Sequence, residues 1–242
     1  MKRFVKILVW TLIGLYVPVM WSFVLISNKN RTCRGVSVQI KDSVELQFMT
    51  SKEVKNYVYS HIKGLTKKTI KDINLEEVEH LVDKYPSVAK SEAYFTPQGV
   101  LRVVVSQRQP VLRVFSDGGT FLLDKEGVKI PLRGSYTKRL MVVTGNIDKL
   151  KDRTDLVKLD GFIKDDSFWR AQIEQIHINS QGDIILVPRV GDHYINIGDV
   201  NDLEYKFRNL LALYQKGLRP LEWNSYKEIN LKYKGQVICT KI

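Results

Sequence analysis

Apolar positions along the chain fall into three kinds of run. The first is continuous: from Ile7 to Ile26 the sequence ILVWTLIGLYVPVMWSFVLI holds twenty residues without a charge. As a helix rising about 1.5 Å per residue it is roughly 30 Å long, the thickness of a bilayer's hydrocarbon core. Membrane helices tolerate a proline such as Pro18, and Trp10 and Trp21 stand towards the two ends, where indole rings favour the interface. A cleaved signal peptide has a shorter apolar stretch and a small-x-small exit. This run is longer and ends in Val24-Leu25-Ile26-Ser27-Asn28, which predicts a retained anchor. Lys2, Arg3 and Lys6 precede it and Lys29, Arg31, Arg34 and Lys41 follow it, so the positive-inside rule leaves the orientation open.

The second kind mixes the two periods of amphipathic elements. Residues 27–35 are polar and read as a linker. Val36-Ser37-Val38-Gln39-Ile40 alternates as a half-buried strand does. Thr50 with Glu53 has the spacing of a capping box, Met49 is placed to staple onto Val54, and Val54, Val58 and Ile62 recur every four residues. Asn74 with Glu77 repeats the device ahead of Leu75, Val78, Leu81, Val82 and Tyr85, and Pro86 ends the helix. Strands at 88–95 and 100–105 are joined through Thr96-Pro97-Gln98-Gly99 as a hairpin. Strand, helix, helix, strand, strand in about seventy residues predicts a small α+β module with both helices on one face of the sheet.

The third kind begins after Pro110 and consists of short apolar runs broken by glycine turns: 111–115, 120–123, 128–130 and 140–144. Leu156, Leu159, Phe162, Phe168, Trp169 and Ile173 predict a helical stretch, divided in two by Gly161 and Asp165-Asp166. Residues 175–179, 184–188 and 194–197 predict a three-strand meander. Asn201 with Glu204 caps a further helix bearing Leu203, Phe207, Leu210, Leu211 and Tyr214, stopped by Gly217 and Pro220. Strands at 227–233 and 236–241 close the sequence, joined at Lys234-Gly235.

Charge changes this picture little. Lys plus Arg outnumber Asp plus Glu by 38 to 26, a net +12. Three of those cations precede the apolar run, leaving 35 against 26, or +9, for the rest. A basic domain beside a bilayer is drawn to anionic headgroups, with nucleic acid as the competing partner. The cations are scattered, Lys67-Lys68 being the longest cluster, and no basic helix or RNP-type aromatic strand occurs, so nucleic acid is not expected.

Catalytic and metal-binding patterns are missing from the sequence. His61, His80, His177 and His193 have no metal-ligand spacing, and no G-x-S-x-G, Walker A or G-x-G-x-x-G string occurs. Glu76-Glu77 and Asp165-Asp166 sit where helix starts favour negative charge, and capping accounts for them. Cys33 and Cys239 lack zinc spacing; they allow at most one bridge, formed only outside the cytoplasm, and two free thiols are the favoured reading. The expectation is a non-enzyme with no cofactor, metal or small-molecule substrate. The last strand is the most informative feature for binding, because a strand with no successor is a candidate sheet edge on which another chain can add a strand. Val237 and Cys239 face one way, Ile238 and Thr240 the other; a loop laid over the edge would remove the opportunity.

The order of these parts resembles the bacterial cell-division family FtsQ, called DivIB in some bacteria. Phe48-Met49-Thr50-Ser51-Lys52-Glu53-Val54 looks like the start of that family's first POTRA helix, and Tyr85-Pro86-Ser87-Val88-Ala89-Lys90-Ser91-Glu92-Ala93 resembles its P-x-V-x-x-A lead into the second strand. The run from Gly99 to Val111, GVLRVVVSQRQPV, is similar to L-x-I-x-V-x-E-R-x-P-V, with Gln107 where glutamate is commoner. The run from Phe121 to Pro131, FLLDKEGVKIP, matches x-x-x-D-x-x-G-x-x-x-P, the most specific piece. Ile229-Asn230-Leu231-Lys232-Tyr233 looks like the closing I-D-L-R-Y/F strand, with Asn230 and Lys232 as departures.

The resemblance implies an α+β chain with a single N-terminal transmembrane helix, a POTRA module (β-α-α-β-β) and a β-rich domain with flanking helices. Its parts are a cytoplasmic tail at 1–6, the membrane helix at 7–26, a linker at 27–35, the POTRA domain at 36–108 and the FtsQ-type β domain at 109–242. It further implies a bitopic protein of the inner (plasma) membrane at the division septum, with its N-terminus cytoplasmic, its domains periplasmic and no catalytic activity. The implied partners are the FtsB-like and FtsL-like coiled-coil division proteins and, indirectly, the FtsW/FtsI septal synthase pair. Carried onto this sequence, the strand-accepting site is Tyr233, Lys234, Gly235, Gln236, Val237, Ile238 and Cys239. The rival expectation is a POTRA-bearing protein-transport or envelope-assembly accessory factor, which would normally bring a transmembrane barrel or repeated POTRA units.

Overall fold

Thr50 and Glu53 form the reciprocal cap that their spacing predicts: the Glu53 N–H donates to Thr50 Oγ1 (3.2 Å) and the Thr50 N–H to Glu53 Oε2 (2.8 Å). The helix they start, α1 (Ser51–His61), buries Val54 and Val58. The second helix, α2 (Leu75–Asp83), buries Val78 and Val82 and is capped differently from expectation. Asn74 Oδ1 accepts from the Glu76 N–H (3.0 Å), while the Asn74 amide donates to Glu77 Oε1 (3.2 Å). Glu77 therefore braces the cap's side chain instead of returning to its backbone, because the asparagine amide itself donates to the carboxylate.

These elements belong to a computed structural model in which residues 10–20, 31–41, 48–132, 138–217 and 220–242 are described. Residues 10–20 are helical with exposed side chains. The apolar run expected at 7–26 extends past them on both sides, outside the described residues; among the described residues no helix is long and apolar enough to cross a membrane. The chain divides into two compact units, Met1–Gln107 and Arg108–Ile242.

In the first unit β1 (Gly35–Ile40), β2 (Val88–Phe95) and β3 (Val100–Gln107) form a sheet in the order β1-β3-β2, with β1 parallel and β2 antiparallel to β3. Leu101, Val103 and Val105 of β3 join Val54, Val58, Val78 and Val82 in one buried cluster. Gln107, 3 % exposed, accepts from the Phe48 N–H through Oε1 (3.2 Å). A glutamate would serve the same acceptor role, which explains why the departure from the resembled string is tolerated.

The second unit is one sheet of nine strands with its helices against it. In chain order these are β4 (Pro110–Ser116), β5 (Gly119–Asp124), β6 (Lys129–Pro131), β7 (Met141–Gly145), α3 (Thr154–Asp165), α4 (Ser167–Gln172), β8 (Ile173–Ile178), β9 (Ile184–Pro188), β10 (Tyr194–Gly198), α5 (Leu203–Ala212), β11 (Tyr226–Asn230) and β12 (Ile238–Lys241). The spatial order is β12-β11-β10-β9-β8-β7-β4-β5-β6. Its parallel pairs are β4 with β7, β7 with β8 and β10 with β11; the last two need crossovers, which α3–α4 and α5 supply. Leu156, Leu159 and Ile163 of α3, Trp169 of α4 and Phe207 and Leu210 of α5 share one cluster with the inward residues of the strands. Trp169 meets Phe207 edge-on at 4.9 Å.

Three local expectations are corrected here. The break between α3 and α4 lies at Asp166, whose carboxylate caps α4 through the Phe168 and Trp169 N–H groups, and Gly161 lies inside α3. Ile173 opens β8 instead of ending the helix. Asn201 does not cap α5: its amide donates to Asp199 Oδ2 (2.7 Å), and the flanking residue is Asp202, at φ 51° with no side-chain cap bond. Lys206, only 8 % exposed, fastens this turn instead, donating from Nζ to Ile197 O, Asp199 O and Asp199 Oδ1 at 2.7–2.9 Å. All three ammonium protons are used, which makes the buried charge tolerable.

The string FLLDKEGVKIP also acquires a physical reason. Asp124 Oδ1 accepts the N–H groups of Glu126 (2.9 Å) and Val128 (2.8 Å), Oδ2 accepts Arg108 Nη1 (2.5 Å), and Gly127 takes the left-handed conformation (φ 74°) that closes the β5–β6 turn. The carboxylate is 3 % exposed. Asp124→Ala is expected to destabilise the second unit by about 3 kcal/mol, since it strands two N–H groups and leaves a largely buried guanidinium with Glu126 as its remaining carboxylate. Asp124→Asn, which keeps Oδ1, should cost less; urea unfolding of the two variants measures the difference.

Candidate partner-binding edge

Ile229, the fully buried residue of β11, places the last hairpin on the core. Antiparallel to β11, β12 pairs Ile238 with Asn230, Cys239 with Ile229 and Thr240 with Glu228, and the ladder shifts at Lys227. β12 is the outermost strand of the nine. The Ile242 N–H donates to Ser225 O (3.3 Å), on the β11 side. The two-residue alternation of an antiparallel ladder then turns Thr240 and Ile238 towards β11 and the N–H and C=O groups of Cys239 and Lys241 away from it. Among the described residues nothing covers those outward groups.

The three-stranded sheet of the first unit provides a contrast. There the Ser91 N–H of edge strand β2 donates to Asp83 Oδ1 (2.7 Å), the Ala93 N–H to Glu79 Oε1 (2.6 Å), and the Val36 N–H of edge strand β1 to Tyr59 Oη (3.1 Å). Helix side chains thus occupy donors on both edges, which is one way proteins close an edge to further pairing.

Of the seven residues singled out from the sequence, Ile238 and Cys239 lie in β12. Tyr233, Lys234, Gly235, Gln236 and Val237 lie in the connection, because β11 ends at Asn230 and the two strands are shorter than expected. Val237 and Cys239 rest against the core cluster, while Ile238 is 42 % and Tyr233 52 % exposed. Gly235 turns the connection with φ 83°. Cys239 is a free thiol whose burial pushes its pKa up; Cys33, in the first unit, is also free.

The connection is held where it leaves β11. The Leu231 N–H donates to Asn196 O (2.8 Å), and Lys232 Nζ lies 2.8 and 3.0 Å from the two oxygens of Asp183, a bond that raises the lysine pKa. Beside it, on the face of the sheet away from Ile229, the Glu228 carboxylate accepts from Tyr194 Oη (3.2 Å), Asn196 Nδ2 (3.4 Å) and Asn230 Nδ2 (3.2 Å). Burial, with Glu228 next to it, raises the Tyr194 pKa. The sequence reading missed Glu228, Tyr194 and Asn196. The only signal was Asn230, which departs from an aspartate in the resembled string and here supplies a donor that aspartate lacks. Among the described residues, no group of three His, Cys, Asp or Glu side chains is placed to hold a metal.

The segment leading into β11 is supported from beneath by aromatic rings. His193, 2 % exposed, bonds the Tyr214 hydroxyl through Nε2 (2.8 Å), and the Tyr214 and Trp223 rings lie 4.8 Å apart. Burial pushes the imidazole pKa below its ordinary value; the backbone of Trp223 and the Asp192 carboxylate pull the other way more weakly.

Residues 109–240 match the family described as "FtsQ/DivIB, C-terminal related", and residues 31–106 match the family described as "POTRA-like domain". No curated protein matches the chain.

Above the ordinary histidine pKa, about 6.5, His193 is neutral in folded and unfolded chains alike. Below it the unfolded chain binds a proton that the buried ring refuses, so stability falls with pH until the depressed folded value is passed. Urea midpoints at pH 7.5 and 5.5 should therefore separate more for the native chain than for His193→Gln.

Proposed function

The chain belongs to the FtsQ/DivIB C-terminal related family, and on that footing we propose that it is a non-catalytic scaffold of the division septum that captures a partner strand on β12. The observation that carries this reading is the outer side of β12, uncovered among the described residues, in a chain whose small sheet has its edges occupied by side chains. Strand addition draws affinity from main-chain hydrogen bonds and selectivity from alternate side chains. The outward groups of Cys239 and Lys241 supply the first. Ile238, Thr240 and Tyr233 offer exposed side chains for the second.

In this reading residues 36–108 are the POTRA domain and 109–242 the FtsQ-type β domain. Residues 7–26 cross the plasma membrane with residues 1–6 on the cytoplasmic side and the domains outside it. The captured strand belongs to an FtsB-like coiled-coil protein acting with an FtsL-like one, and through them the FtsW/FtsI pair is brought to the septum. The partner-binding set is Tyr233, Lys234, Gly235, Gln236, Val237, Ile238 and Cys239, to which the alternation adds Lys241.

Lys241→Pro removes one outward donor and leaves the β11–β12 ladder intact. It should weaken co-purification of the FtsB-like partner roughly three- to tenfold, the weight of one backbone hydrogen bond. Unchanged capture by this variant and by Tyr233→Ala would remove the site. Depletion of the protein should give filamentous cells with failed septa and the fluorescent fusion at midcell. Normal division with a secretion defect would favour the envelope-transport reading instead.

A further inference from the structure

The chain enters the first unit through a basic corner. Arg31 O accepts the Ile70 N–H (2.8 Å), the Cys33 N–H donates to Lys68 O (3.0 Å), the Arg34 N–H donates to Gly99 O (2.9 Å), and Thr32 bridges Thr69. Cys33, 1 % exposed, anchors the segment in the core. Residues 31–34 thus lie antiparallel to 67–70, a short stretch whose turn starts at Gly64 (φ 68°). This brings Arg31, Arg34, Lys63, Lys67, Lys68 and Lys71 together, all six exposed and none in an ion pair with a described residue. The acid in the stretch, Asp72, accepts from the Thr69 hydroxyl (2.6 Å).

We propose that this corner is a membrane-facing patch that engages the phosphate headgroups of anionic phospholipids. The inference rests on the membrane-anchored reading given above. Its reach is set by the chain: from Ile26, the last residue of the apolar run, to Arg31 is roughly 18 Å even fully extended. Arg31 therefore stays within that reach of the bilayer. Leu65, the large apolar side chain of the turn, is buried at 1 % exposure, so the corner presents charge without an inserting group. Its attraction is electrostatic, confined to a screening length of about 8 Å at physiological salt. A soluble acidic partner would not need the patch at the tether; a lipid surface is always there.

The test uses the full chain reconstituted into vesicles of phosphatidylcholine alone or mixed with phosphatidylglycerol. A fluorophore is placed at Thr66→Cys in a Cys239→Ser background, Cys33 being buried, and quenched by headgroup spin-labelled lipid. Quenching should be about twofold greater in the anionic vesicles and return to the zwitterionic level near 1 M salt, where screening shrinks to about 3 Å. The triple variant Lys67→Glu, Lys68→Glu, Lys71→Glu, with an unchanged circular dichroism spectrum, should lose the difference. Equal quenching in both vesicles overturns the proposal, as does an increase that survives salt or the triple variant. Equal quenching together with binding of soluble polyglutamate overturns it in favour of an acidic polypeptide. Alkaline carbonate extraction reads the anchor separately: a chain stripped from the vesicles fails the anchored reading, while the quenching difference still decides the patch.

Discussion

Every backbone N–H at the rim of a sheet must find an acceptor, and that constraint separates the two units. In the small sheet the acceptors are built in: Asp83 and Glu79 reach over β2 from α2, and Tyr59 of α1 bonds β1. The nine-stranded sheet treats its β12 rim differently: among the described residues no side chain takes the outward groups of Cys239 and Lys241. The rest of the second unit holds that rim in place. Parallel pairing of β10 with β11 demands a crossover, α5 provides it, and Phe207 and Leu210 press it onto the same core as Ile229.

The position of that rim depends on polar groups that are satisfied, from the buried Lys206 to the more exposed Glu228 and Lys232. Lys206 spends three donors on the turn between β10 and α5, and Lys232 reaches Asp183 across the turn between β8 and β9. Glu228 gathers donors from β10 and its own strand. Such networks favour a single arrangement more than they add stability, because each partner left alone would be costly.

The elements were legible in the sequence where periodicity and capping agreed. Thr50 with Glu53, the hairpin at Thr96–Gly99 and the β8–β10 meander stand where the pattern places them. It failed where one polar side chain had two uses. Asn201 has the residue type and spacing of a cap, yet Asp199 takes its amide, and the lysine that replaces the cap carries no local signature. The closing strands were read too long because apolar alternation runs on through Leu231 and Val237, which are buried or half-buried in a connection and not in a ladder. The candidate edge itself could be named from the order of elements. Which of its residues face outward needed the register, and the Glu228 network joins residues more than thirty positions apart.

The lysine at the end of β12 has a consequence for stoichiometry. Two copies of this chain that tried to share their open rims about a two-fold axis would each bring the exposed Lys241 to the shared edge. Cationic rims of this kind repel their own image. The ladder shift at Lys227 adds local twist, which resists flat stacking of strand upon strand. A rim built this way resists pairing with a copy of itself.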